Sequence, residues 1–125
     1  MRPKVLIVDD EPRLGRSLAI VLGDDDEPIV VESAEGAMKV LAEDPAIEVI
    51  LCDLMMPGAS GMDLHAWVKE RHPRLASRMI FMTGGAFTST SRQFLDATRN
   101  RSIDKPFEPE RLLTLIRGVL DSRAA

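Results

Sequence analysis

Short apolar runs that each end in a polar residue recur along this chain, and they constrain its fold more than any other feature. The clearest run covers residues 49–52 and ends at Asp53, and a Pro-Gly turn follows at Pro57. An unbroken apolar run of this length is typical of a strand that is covered on both faces, as in parallel sheets. The predicted strands are residues 5–8, 28–31, 47–52, 78–82 and 101–104.

Stretches with apolar residues at helical spacing separate these runs, and the clearest is 112–120 near the end of the chain. Strands and helices that alternate five times predict an α/β domain with a parallel sheet, helices on both faces and right-handed crossovers. We therefore expect a doubly wound (βα)5 sandwich of the flavodoxin-like type, with strand order 2-1-3-4-5. Its 125 residues are expected to form one domain over 1–125.

Composition excludes several classes of function. No apolar run approaches the ~20 residues that a membrane-spanning helix needs, and no signal sequence opens the chain. A net charge of −4 argues against direct binding of nucleic acid by this domain. The single cysteine, Cys52, lies inside an apolar run and cannot form an internal disulfide, which suits a buried residue in a reducing cytoplasm.

Polar side chains capable of chemistry follow four of the five predicted strands. They are Asp9 and Asp10 after the first strand, Asp53 after the third, Thr83 after the fourth and Lys105 after the fifth. Because parallel strands bring their carboxyl ends to one edge of the sheet, these side chains are expected to converge there.

Three converging carboxylates repel one another unless a cation lies between them. Mg²⁺ suits such a site because it takes oxygen ligands and usually keeps several waters; Mn²⁺ can substitute for it. We expect Asp10 and Asp53 to be direct ligands, Asp9 to act through a metal-bound water, and the backbone carbonyl of Met55 to supply a further oxygen.

A divalent metal, a carboxylate nucleophile, a hydroxyl and an ammonium together predict a phosphoryl-transfer site. The carboxylate of Asp53 would accept the phosphoryl group. The metal and Lys105 would offset its negative oxygens, and the Thr83 hydroxyl would donate a hydrogen bond to one of them. Taken singly, each residue also has a structural interpretation, such as a helix N-terminal acid or a turn residue. Their order and their strand-end positions favour the joint functional interpretation.

These same residues carry a resemblance to a known family. Val5-Leu6-Ile7-Val8-Asp9-Asp10-Glu11, Asp53-Leu54-Met55-Met56-Pro57-Gly58, Met82-Thr83-Gly84 and Lys105-Pro106-Phe107 resemble, in this order, the receiver domain of two-component response regulators. The resemblance implies that Asp53 is the phosphoacceptor, Asp9 and Asp10 the acidic metal pair, Thr83 the switch hydroxyl and Lys105 the phosphate-contacting lysine. It also implies a cis peptide at Lys105–Pro106, and a phosphohistidine donor on a sensor histidine kinase or histidine phosphotransfer protein.

One position departs from the family pattern. Receivers usually carry Tyr or Phe three residues before the motif lysine, and here that residue is Ser102. A serine has no ring to move inward, so the usual aromatic switch cannot operate. We expect the fourth predicted helix, the fifth strand and the last helix to form a hydrophilic partner surface, which an output domain or a downstream protein would contact.

Two rival interpretations each require a different motif after the first predicted strand. A haloacid-dehalogenase-type phosphatase needs an Asp-x-Asp there, and a flavin carrier needs a Ser/Thr/Gly-rich phosphate loop instead of Asp9-Asp10-Glu11. A pseudo-receiver that signals by binding alone is a further alternative. The sequence also leaves open a single-domain regulator or phosphorelay shuttle, the N-terminal receiver of a longer regulator, and a receiver excised from a hybrid kinase.

Three expectations concern residues outside the predicted site. The acidic stretch 24–27 is expected to be a solvated turn. His65 and His72 have no partner pattern and are expected at the surface, and Trp67 is expected to pack.

Overall fold

The computed structural model describes residues 2–23, 26–56, 58–84 and 88–122. These residues form five strands and six helices, which alternate except that two helices lie between the third and fourth strands. The strands are β1 (Lys4–Val8), β2 (Glu27–Val31), β3 (Ile47–Asp53), β4 (Met79–Gly84) and β5 (Ser102–Lys105). The helices are α1 (Pro12–Leu22), α2 (Ala34–Glu43), α3 (Gly61–Arg71), α4 (Pro73–Ala76), α5 (Ser89–Thr98) and α6 (Pro109–Ser122).

All neighbouring strands pair in parallel, in the order β2-β1-β3-β4-β5. The predicted α/β class, the doubly wound flavodoxin-like fold and the strand order 2-1-3-4-5 are therefore confirmed. No helix in the described part of the chain is long and apolar enough to cross a membrane.

The sheet divides the interior into two cores, which explains why its three central strands, β1, β3 and β4, are mostly apolar. Along β1, Leu6 and Val8 join the core covered by α2 and α3, whereas Val5 and Ile7 join the core covered by α1 and α6. Residues 5–8 of β1, 49–52 of β3 and 79–82 of β4 are therefore buried on both faces, whereas Val30 of β2 is 37% exposed. Cys52 is buried in the first of these cores, as its position in the run predicted.

Strand pairing sets which side chains meet at the carboxyl edge. Val8 is in register with Cys52, so the residues that follow them, Asp9 and Asp53, are neighbours at the ends of β1 and β3. On the other side of the sheet, Thr83 is in register with Asp104.

Two helices begin at residues that suit the start of a helix. The sequence pattern predicts a helix over 87–98; residue 87 lies outside the described residues, and helix α5 begins at Ser89 because Thr88 caps it. The Thr88 hydroxyl accepts the Ser91 N–H at 3.0 Å, which satisfies a donor that the helix itself cannot pair. Helix α4 was not predicted, and it is a single turn that starts at Pro73, where proline fits a first helical position.

Two expectations about surface residues are wrong. His65 is only 8% exposed, and its ring packs edge-on against Phe94, with centroids 5.2 Å apart, and near Phe81. In the stretch 24–27, expected to be a solvated turn, residues 24 and 25 lie outside the described residues and Glu27 is exposed, but Asp26 is fully buried and accepts a hydrogen bond from Arg117 of α6 at 2.6 Å. Both side chains contact residues that are distant in the sequence.

Candidate functional site

Three aspartates meet where β1 and β3 end. Asp9, Asp10 and Asp53 each place one carboxylate oxygen within 4.8 Å of the others. Asp9 is fully buried, Asp53 is nearly so, and Asp10 is exposed. The cluster therefore has a buried floor and one acid that faces solvent.

Lys105 reaches this cluster from the end of β5. Its Nζ donates to Asp9 Oδ2 at 2.7 Å and to Asp53 Oδ2 at 3.1 Å. The side chain of Lys105 is 21% exposed. One ammonium thus bridges the two buried carboxylates, as a point charge with several donors can.

Backbone N–H groups hold both carboxylates in place. The Glu11 N–H donates to Asp9 Oδ1 at 2.8 Å, and the Met55 N–H donates to Asp53 Oδ1 at 3.1 Å. Both oxygens of Asp9 are therefore already engaged, by Lys105 and by the loop that follows β1. The chain after Asp53 folds back over the carboxylate within two residues.

Burial and charge oppose each other at Asp53. Burial raises the pKa of Asp53 above its usual value, and the nearby Asp9 adds to the rise, although Lys105 and the Met55 N–H act against it. For Lys105, burial alone would lower the pKa, but its bonds and attraction to Asp9 and Asp53 outweigh burial, and its pKa is raised. The ammonium therefore stays charged, while burial works against the ionisation of Asp53.

The donor set fits a hard divalent cation. It consists of carboxylate oxygens, which Mg²⁺ prefers, and the exposed Asp10 leaves one side open to water. Lys105 supplies one positive charge against three carboxylates, so the cluster retains an excess of negative charge. Asp9, Asp10 and Asp53 are the residues that would hold such an ion.

Thr83 lies at the end of β4 and is 3% exposed. Its hydroxyl donates a hydrogen bond to Asp104 Oδ1 at 2.6 Å, and the Ile103 carbonyl oxygen lies 3.5 Å from the Thr83 hydroxyl oxygen. Among the described residues, these partners on β5 are the ones that the hydroxyl contacts. The structure therefore brings Asp9, Asp10, Asp53 and Lys105 together, whereas the Thr83 hydroxyl is turned toward β5.

The remaining predicted positions lie around this group. The Lys105–Pro106 peptide is cis. Ser102 is exposed at the start of β5, in register with Phe81. The Met55 side chain is 44% exposed, and its sulfur accepts a hydrogen bond from the Ser91 hydroxyl at 3.2 Å, which links the loop after Asp53 to α5.

Sequence reasoning missed two features of the site. Asp104 was assigned no role, although its place one residue before Lys105 in a strand beside β4 could have suggested contact with Thr83. Gly61, the first residue of α3, was assigned no role either. A Cβ at Gly61 would lie 2.7 Å from the Asp53 carbonyl oxygen and 2.9 Å from Leu54 Cα, so α3 starts directly against the backbone of the central aspartate.

Comparison with known families gives one consistent result. A family model described as "Response regulator receiver domain" matches residues 5–117. The response regulator proteins FleR and PilR of Pseudomonas aeruginosa are 36% and 33% identical to this chain, over 93% and 98% of its length. The transcriptional regulatory protein ResD of Bacillus subtilis is 29% identical over 94%.

These relatives are longer proteins. The matched region covers 24% of FleR, 27% of PilR and 48% of ResD, so this chain spans half or less of their length.

Solved structures agree on the fold. A CheY-like response regulator receiver domain protein from Methanospirillum hungatei has a TM-score of 0.89 at 23% identity, covering 99% of this chain and 98% of that one. A response regulator receiver domain protein from Clostridium thermocellum has a TM-score of 0.84 at 24% identity, covering 97% and 96%.

Proposed function

Since the chain belongs to the response regulator receiver domain family, we propose that Asp53 accepts a phosphoryl group from a phosphohistidine. The donor is a sensor histidine kinase or a histidine phosphotransfer protein. The domain is a regulatory phosphoacceptor that catalyses only its own phosphoryl transfer and its own dephosphorylation. It acts in the cytoplasm.

The observation that supports this proposal most strongly is that Asp53 lies beside one ammonium group and two other carboxylates. Its Oδ2 lies 3.1 Å from Lys105 Nζ, and a carboxylate oxygen from each of Asp9 and Asp10 lies within 4.8 Å. A carboxylate is a nucleophile when ionised, and burial works against ionisation here. Lys105 and a divalent cation beside the aspartates would hold Asp53 in its reactive form.

Each residue has a distinct task in the transfer. One carboxylate oxygen of Asp53 forms the bond to phosphorus as the phosphorus–nitrogen bond of the phosphohistidine breaks and the donor imidazole leaves, while the Met55 N–H fixes the orientation of the other oxygen. Lys105 can move from its contact with Asp53 to a phosphoryl oxygen, because Asp9 anchors its ammonium nearby. The Thr83 hydroxyl would donate a hydrogen bond to another phosphoryl oxygen after its hydrogen bond to Asp104 of β5 breaks.

Mg²⁺, when bound, supplies positive charge that offsets the phosphoryl oxygens. Asp10 is the best-placed direct ligand because it is exposed, and Asp53 is the second. Asp9 is fully buried and both of its oxygens accept hydrogen bonds, which supports an indirect role through a metal-bound water. Both oxygens of Asp53 also accept hydrogen bonds, so direct ligation by Asp53 Oδ2 would require Lys105 to move away from it.

The partner surface is formed by α5, β5 and α6. The exposed polar residues of α5 and β5, among them Gln93, Asp96 and Ser102, support a hydrophilic surface. An output domain or a downstream protein would contact this surface.

Intact mass spectrometry tests the proposal directly. The protein is incubated with acetyl phosphate, with and without Mg²⁺, and Asp53→Asn is compared with Asp44→Asn, which changes an aspartate outside the site. A gain of one phosphoryl group in wild type and Asp44→Asn, but not in Asp53→Asn or without Mg²⁺, is the expected result.

Labelling that persists in Asp53→Asn would reject Asp53 as the acceptor. If wild type gains no mass, the assay is repeated with a phosphorylated histidine kinase domain as donor. Failure with both donors would identify the chain as a pseudo-receiver that signals by binding alone.

A further inference from the structure

The hydroxyl of Thr83 is bound by a residue to which the family pattern gives no task. Its oxygen lies 2.6 Å from Asp104 Oδ1, a distance typical of a strong O–H···O⁻ hydrogen bond. Thr83 is almost fully buried, and Asp104 is exposed. The contact therefore joins the interior edge of the site to the outer surface of β5.

The contact between Thr83 and Asp104 follows from the pairing of β4 with β5. Thr83 and Asp104 are register partners in the parallel β4–β5 ladder, and Phe81 and Ser102 are partners two residues earlier. Side chains of paired residues lie on the same face of a sheet, at the spacing where they interact. Asp104 and Ser102 thus share the face on which Thr83 lies.

A hydroxyl has one hydrogen to donate. While Thr83 donates it to Asp104, it cannot donate it to a phosphoryl oxygen on Asp53. We propose that Asp104 is a positioning residue that holds Thr83 turned away from Asp53, so that the phosphoryl group must compete with the Asp104 carboxylate for this hydroxyl. The proposal rests on phosphoryl acceptance at Asp53.

The same competition gives the domain a signal that does not need an aromatic ring. When Thr83 turns toward the phosphoryl group, Asp104 loses its partner, and its carboxylate becomes available at the outer edge of β5. Asp104 there lines a surface cavity of about 310 Å³, together with Ser102, Phe107 and Arg111. Phosphorylation therefore changes the hydrogen bonding of the Asp104 carboxylate that lines this cavity.

Binding of a phosphoryl mimic measures the competition. The dissociation constant for trifluoroberyllate in the presence of Mg²⁺ is measured by calorimetry for wild type, Asp104→Ala, Thr83→Ala and the double variant. Because Asp104 reduces the fraction of protein with Thr83 facing Asp53, its removal should tighten binding about fivefold, or about 1 kcal/mol at 1.4 kcal/mol per tenfold. In the Thr83→Ala background, the same change should have no effect.

Two further variants separate the hydrogen bond from charge. Asp104→Asn keeps an acceptor oxygen but loses the charge, so it should tighten binding less than Asp104→Ala. Asp96→Ala removes an exposed acid from α5 and should leave the dissociation constant unchanged. Equal tightening in Asp104→Asn and Asp104→Ala, or tightening that persists without Thr83, would show that Asp104 acts through charge alone and would overturn the proposal.

A second measurement does not depend on phosphorylation. Three-bond NMR couplings to the Thr83 methyl carbon report its χ1 angle in the unmodified protein. A single rotamer in wild type and averaged couplings in Asp104→Ala are expected. Unchanged couplings in Asp104→Ala would refute the inference even if Asp53 accepts phosphate, whereas lack of mimic binding by wild type would count against the proposed function itself.

Discussion

Replacing Lys105 by methionine should destabilise the metal-free protein by about 3 kcal/mol. The ammonium lies 2.7 Å from an oxygen of Asp9 and 3.1 Å from one of Asp53. At an effective dielectric constant of about 20, these separations correspond to attractions of about 6 and about 5 kcal/mol before desolvation is subtracted. Removing one partner of a buried ion pair costs about 3–5 kcal/mol, because the other charge stays buried and unpaired. Lys105 is partly exposed, which places the expected loss at the low end of that range.

Urea unfolding with and without Mg²⁺ is the assay, and Lys4→Met is the matched control. Lys4 contacts Asp44 at 2.8 Å, nearly the same distance, but this pair is at the surface. The control should therefore lose much less stability than Lys105→Met. Mg²⁺ should restore more stability to Lys105→Met than it adds to wild type, because the variant has the same acids and no competing ammonium. Equal losses in the two variants would refute the view that Lys105 is the cation that balances this acidic cluster.

Three further predictions concern the metal, pH and packing. Asp10→Ala should weaken Mg²⁺ binding in a fluorescence or calorimetric titration more than Asp9→Ala does, because both oxygens of Asp9 are already bonded; equal affinities would count against direct ligation by Asp10. Because burial raises the pKa of Asp53, the folded protein holds that proton more tightly than the unfolded chain, so this group's contribution to stability is present below about pH 4 and is lost as pH rises through the raised pKa. In EDTA, urea unfolding of Asp53→Asn should lack this loss, and an identical pH profile would contradict it. Gly61→Ala should cost about 1–3 kcal/mol in urea unfolding, since its Cβ would lie 2.7 Å from the Asp53 carbonyl oxygen; an unchanged midpoint would mean that α3 can shift freely.

Sequence patterns predicted the fold and the strand-end cluster because both follow from local rules. An unbroken apolar run must be covered on both faces, and parallel strands must end at one edge, so Asp9 and Asp53 were predicted to converge before their contacts were known. The buried state of Cys52 followed from the same pattern. These arguments need only the period of the apolar residues and the direction of the strands.

The misjudged residues depend on partners that no local pattern specifies. Asp26 is buried because Arg117, 91 residues later, reaches its carboxylate. His65 is buried because Phe81 and Phe94 from two other elements enclose its ring. For the same reason the sequence could list Thr83 as a switch hydroxyl, but it could not tell which acceptor the hydroxyl would meet.

Two contacts connect the environment of Asp53 to the surface of α5 and β5. Thr83 bonds to Asp104 on β5, and the Met55 sulfur accepts the hydroxyl hydrogen of Ser91, a buried residue of α5. Both contacts involve residues that a phosphoryl group on Asp53 would disturb, because the Met55 N–H is itself bonded to Asp53. With serine at position 102, the chain therefore keeps two polar routes from the environment of Asp53 to the surface of α5 and β5. Each route is a single hydrogen bond that either forms or breaks, which suits a two-state switch better than a gradual shift of packed side chains.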